Sequence, residues 1–166
     1  MLITEKTRTK KVLPLLNEDN IDSFIDSFPE VEFNFFSMTI EEFAELVEDE
    51  QKWVYSNIIE KNKKAVDCFG KIKHIKKCID NLNRFLQMNS VPRTEDEKRA
   101  ANNVTGPTFV ESILITLVEF FHLQSFDEAG KKTLADFMLV YKKLSSDAKI
   151  NYNYSRIIQS KTNKKH

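Results

Sequence analysis

An apolar residue returns at every seventh position from Ile58 through Ala65, Ile72 and Ile79 to Leu86, and Cys68, Ile75 and Leu82 fill the matching place between them. A strict seven-residue repeat belongs to a helix that lays one seam against a partner helix. Lys61 breaks the seam once. The spacing predicts one helix from about Lys52 to Met88, roughly 55 Å long at about 1.5 Å per residue. Gly70 stands inside it at a cost of about 1 kcal/mol against alanine, and marks either close packing or a bend. Three Gly and four Pro in 166 residues leave few turns elsewhere, which favours long helices over a β-rich fold. The expected fold class is all-α: a helical bundle around one long heptad-patterned helix, with an extended N-terminal arm over 1–17 and at most one short strand.

Zero net charge conceals a strong polarity along the chain. Between Val12 and Gln51 there is no Lys or Arg but there are twelve acids, six of them in one cluster: Glu41, Glu42, Glu45, Glu48, Asp49 and Glu50. From Lys61 to Arg84 the sign reverses, with Lys63, Lys64, Lys71, Lys73, Lys76 and Lys77 on the long helix against only Asp67 and Asp80. Opposite blocks attract, so the acidic segment either folds back over the basic helix or meets it between copies.

Around this helix the remaining elements follow from caps and periodicity. Ile21, Phe24, Ile25 and Phe28 share one face of a short helix ended by Pro29, and Val31, Phe33 and Phe35 then alternate with polar residues in the manner of a short strand. Thr39–Glu42, Thr94–Glu97, Thr108–Glu111 and Ser125–Glu128 each have the S/T-x-x-E spacing of a capping box, in which two side chains satisfy orphan N–H groups of a first turn. The first box opens a helix with Ile40, Phe43, Leu46 and Val47 on its apolar face. The third opens a helix over about 109–123 that is apolar on most sides and therefore reads as buried all round. After the Gly130 stop a last helix runs over about 133–160, with Leu134, Phe137, Met138, Tyr141 and Leu144 facing inward. The organisation expected is an arm over 1–17, one helical domain over 18–160 with a linker over 89–108, and a basic tail over 161–166.

Catalytic chemistry finds no foothold. G-x-S-x-G, the P-loop, G-x-G-x-x-G and calcium-loop patterns are all absent. The acid cluster reads as a solvated or salt-bridged helix face. His74 and Cys78 share a helix face at i, i+4, but no further ligand completes a tetrahedral set. His122, three residues after Glu119, reads as a histidine at the edge of a core. Cys68 and Cys78 lie about 15 Å apart along a helix, too far for a disulfide within it, and read as reduced thiols. The longest apolar run, Ile113 to Val118, is too short to cross a bilayer. No enzyme activity, metal, cofactor or membrane partner is expected, and the location expected is cytoplasmic: the host cytoplasm if the chain is viral, with the virion as an alternative.

Residues 107–161 open on P-T-F-x-E, end the apolar helix in F-F-H-L, turn through S-F-x-E-A and finish with the paired Tyr152 and Tyr154. This order resembles small helical proteins carried in phage and prophage regions of Bacteroidetes, which are similar to tail-assembly chaperones or other virion-assembly factors. The resemblance covers about a third of the chain. It implies multivalent protein binding without catalysis, with Phe120, Phe121, Phe126, Tyr152 and Tyr154 as the aromatic surface. The expected function is thus a phage structural or tail-assembly component. It would bind itself or a larger structural protein along the seam of Ile58, Ala65, Ile72, Ile75, Ile79, Leu82 and Leu86, helped by charge matching. The alternative is a nucleic-acid-associated regulator that tracks phosphates with the basic face of 61–77, although no arginine or stacking aromatic accompanies those lysines.

Overall fold

The computed structural model describes residues 21–62, 64–91 and 106–163, and among them the fold is all-α with no strand. The expected arm over 1–17, Lys63, the Thr94–Glu97 box and the tail from 164 lie outside the described residues. The chain divides into two compact units, Met1–Asn83 and Arg84–His166, where the sequence suggested one helical domain.

In the first unit, α1 (Ile21–Asp26) turns into Phe28 and buries Ile25 and Phe28. The Phe24, Phe28 and Phe69 rings meet within 5.2 Å of one another, two of the three pairs edge to face. The alternation from Val31 to Phe35 buries alternate side chains without making a strand. Phe35 is buried in a 3-10 turn (Phe35–Ser37), Phe33 meets Trp53 edge on at 6.0 Å, and Glu32 and Asn34 stay exposed. The Val31 N–H donates to Gly70 O of a helix at 3.1 Å and so has no ladder to join.

The Thr39 box forms as its spacing requires: Thr39 N–H donates to Glu42 Oε2 at 2.9 Å and Glu42 N–H to Thr39 Oγ1 at 3.2 Å. It opens α2 (Ile40–Glu48), which buries Ile40, Phe43 and Leu46 but leaves Val47 54% exposed. Asp49 caps α3 (Glu50–Val54) by accepting the Lys52 N–H, a cap missed in the sequence. The chain then widens into a π-turn (Tyr55–Ile59), closed by the Glu60 N–H donating to Tyr55 O at 2.9 Å.

The continuous helix expected from Lys52 to Met88 is therefore divided among α3, the π-turn and α4 (Ala65–Asn89), with a break that opens at Glu60 and includes Lys61 and Asn62. The break follows from local chemistry. Asn62 Nδ2 donates to Ile58 O, a side-chain bond that competes with helix propagation, and Lys71 Nζ donates to Asn62 Oδ1 at 2.8 Å. Lys61, the one polar interruption of the seam, sits in this break. Gly70 resolves as close packing: a Cβ there would lie 2.5 Å from Val31 Cγ2 and 2.6 Å from Pro29 O.

In the second unit, which α4 enters at Arg84, the Thr108–Glu111 box opens α5 (Phe109–Phe121) with bonds of 2.7 and 3.2 Å. Only Ile113 and Leu117 of α5 are buried, so this helix is not buried all round. Leu114, Ile115, Val118 and Phe120 are half-buried, and Phe109 and Phe121 are exposed. His122 ends α5 at φ 53, in the left-handed region that caps helix C-termini. It is an exposed cap and not a core-edge side chain.

Ser125 caps α6 (Phe126–Gly130), but Glu128 reaches back to the Gln124 N–H at 3.0 Å instead of closing the box on Ser125. Thr133 and Asp136 make a further reciprocal cap, with bonds of 3.0 and 3.1 Å, at the start of α7 (Leu134–Asn163). α5 packs on α6 and α7, and Leu134, Phe137 and Val140 carry α7's share of the core. Tyr141 lies 5.6 Å from Phe137 and 6.1 Å from Phe85, ring to ring. α7 has thirty residues, about 45 Å of helix, and no described side chain beyond Ser145 is buried.

Candidate protein-binding site

Among the described residues, the acidic and basic blocks meet at Glu30. His74 Nδ1 donates to Glu30 Oε1 at 2.6 Å and Lys77 Nζ to Glu30 Oε2 at 2.8 Å. Beside them, Lys73 Nζ donates to the backbone oxygens of Asp26 and Phe28 at 2.7 and 3.1 Å, a cation at carbonyls left open by α1. The Lys77 hydrogen bond, followed by that of His74, holds the Glu30 carboxyl below its ordinary value, and the bond to Glu30 raises the Lys77 ammonium. With 33% of the Glu30 side chain and 61% of Lys77 exposed, solvent screens this latch. His74 thus has a carboxylate partner, and among the described residues no group of three His, Cys, Asp or Glu side chains stands together to hold a metal.

The basic face is mostly engaged by the chain itself. Lys71, Lys73 and Lys77 have the partners just named, Lys76 is engaged too, and Lys64 is exposed. The acid cluster behaves differently. Glu42 is spent on its cap and Asp49 on the Lys52 N–H, while Glu41, Glu45, Glu48 and Glu50 are exposed and make no ion pair among the described residues. Glu45, Glu48, Asp49, Lys52 and Trp53 line a hollow of about 540 Å³ beside it.

The heptad seam lies mostly inside the chain itself. Ile58, Ala65, Cys68, Ile72, Ile75 and Leu82 are all less than 10% exposed and belong to the chain's own interior, with Ile79 and Leu86 half-buried. A short chain buries its best apolar stripe first, since each such side chain gains roughly 1.5–3 kcal/mol on leaving water.

The five aromatic residues expected to form a surface differ in exposure. Phe121, Phe126 and Tyr154 are exposed, Phe120 and Tyr152 half-buried. Phe120 and Phe121 meet edge to face at 5.2 Å, Lys132 lies over the Phe121 ring and Arg156 over Tyr152. Sequence reasoning missed the apolar row on α7. Ile150, Tyr154 and Ile157, at i, i+4 and i+7, are 65%, 64% and 51% exposed. Their spacing was the available signal, hidden by the Asn and Ser residues between them.

Compared with protein-family models, curated proteins and solved structures, the chain matches none of them. No helix among the described residues is long and apolar enough to cross a membrane.

Proposed function

We propose that this chain is a non-catalytic assembly protein, a phage structural or tail-assembly component of chaperone-like type that binds itself or a larger structural protein. One observation carries this reading. Of the twelve exposed large apolar side chains among the described residues, ten lie in the second unit, from Met88 and Phe109 to Ile158. Apolar surface left open on this scale marks a protein-binding face. The aromatic members Phe121, Phe126 and Tyr154 lie in the region that resembles virion-assembly proteins, and the exposed acids of α2 add charge selectivity at no cost in desolvation. Deleting the coding sequence from a phage genome that carries it lowers the yield of tailed particles, and the purified chain co-sediments with a tail or head protein. Unchanged particle yield, with no co-sedimentation, overturns the reading.

A further inference from the structure

The distal half of α7 is a helix without a floor. From Ser145 to Asn163 it extends about 27 Å, and none of the described side chains after Ser145 is buried. Helices in proteins draw most of their stability from packing one amphipathic face, not from propensity. Such a face is present here, since Ile150, Tyr154 and Ile157 share one side and are all more than half exposed.

Charge decides what covers it. Between Lys142 and Arg156 the helix carries Lys142, Lys143, Lys149 and Arg156 against Asp147 alone. Pairing this helix with itself across a two-fold axis sets cations against cations, which opposes association. The complement is on the same chain. From 41 to 50 there are six acids and no base, and Glu41, Glu45, Glu48 and Glu50 make no ion pair among the described residues. This face is more than a cluster of acids. The only large apolar side chains that the first unit exposes among its described residues, Val47 and Tyr55, lie in α2 and in the π-turn that follows α3, and the hollow over Trp53 opens beside them. An apolar row edged with bases therefore has a counterpart of apolar points edged with acids.

We propose that the distal half of α7 docks on the α2 face of a second copy of this chain, with Ile150, Tyr154 and Ile157 against Val47, Tyr55 and the Trp53 hollow, and Lys142 and Arg156 toward Glu45 and Glu48. This rests on the reading of the chain as an assembly protein and names the surface and the partner. The contact joins two different surfaces, so each docked copy presents both kinds again. Such heterologous contacts propagate into rings or open filaments and do not stop at a two-fold dimer.

Two doubly substituted full-length chains test it: I150D/I157D, which spoils the helix, and E45K/E48K, which spoils the face. All four positions are exposed, so each variant keeps the wild-type circular dichroism spectrum. In light scattering the wild type shows a mass above 19.4 kDa that grows with concentration and falls with salt, while each variant alone associates at least about tenfold more weakly. Mixing the two variants restores pairing but stops at two chains, because only one helix and one face remain intact between them. Self-association indifferent to E45K/E48K, mixed variants that stay apart, or a wild type monomeric at all concentrations each overturn the proposal. So does a wild type that binds phosphatidylserine vesicles through Ile150 and Ile157 without self-association, which makes the helix a lipid-directed element. A monomeric wild type leaves particle yield as the separate measure of the assembly function.

Discussion

The two units divide the chain in half and use their apolar residues in opposite ways. Among the described residues, the first unit holds sixteen of the twenty-two buried apolar side chains, and the second holds ten of the twelve large ones left exposed. In the first, short helices, a 3-10 turn and a π-turn wrap aromatic rings around α4, so Phe24, Phe28 and Phe69 find one another. In the second, three helices meet over a narrow core, and α7 runs on past it. The difference teaches that apolar composition alone does not locate a core. What matters is whether another element lies opposite each apolar face.

Substituting one ring in each unit gives the sharpest contrast. Phe69→Ala, at a site 2% exposed, costs about 3–5 kcal/mol in urea unfolding, whereas Phe121→Ala, 39% exposed, stays within about 1 kcal/mol. Equal losses at the two positions would erase the distinction between the units. Gly70→Ala comes next. Alanine improves the helix by about 1 kcal/mol, but its Cβ meets Val31 and the Pro29 backbone oxygen at 2.5 and 2.6 Å. Neither can swing aside, so thermal unfolding should show a net loss of about 1–2 kcal/mol; a gain would mean that the 29–31 segment yields easily.

Smaller still is the Glu30 latch. Its carboxyl titrates lower in the folded chain than its ordinary value, so its contribution is complete above the unfolded pKa and disappears as pH falls through the folded one. Lys77 titrates higher when folded, so its contribution holds below the unfolded pKa and fades as pH rises through the folded one. Glu30→Gln should flatten the acid limb of a melting-temperature profile while leaving the core unaffected. Last, Ile157→Asp alone changes stability by less than about 0.5 kcal/mol and weakens self-association, the reverse of Phe69→Ala.

Much of the helical framework was legible. The Thr39 and Thr108 boxes, the Gly130 stop and the starts of α2, α5 and α7 all follow from spacing, because capping chemistry is local and acts within one turn. The seam was legible as a buried stripe but not as to what buries it, since periodicity reports a covered face and is silent on whether the cover belongs to the same chain. The break that opens at Glu60 falls on Lys61, the polar residue of the seam, yet the π-turn before it depends on a hydrogen-bond register that no residue type announces. Among the exposed side chains of the second unit the exposure of Phe121, Phe126 and Tyr154 was readable and that of Ile150 and Ile157 was not, because the polar residues between them mask a three-member row.

Both cysteines fall in the first unit, on α4, and none in the second. Cys68 and Cys78 are 0% and 5% exposed, and burial pushes the Cys78 thiol above its ordinary value, with the Glu30 charge adding to the rise. Reaction with a thiol reagent therefore waits for the first unit to open and is blind to the second. Labelling time courses at rising temperature or denaturant thus give a native clock for one half of the molecule, with no engineered probe.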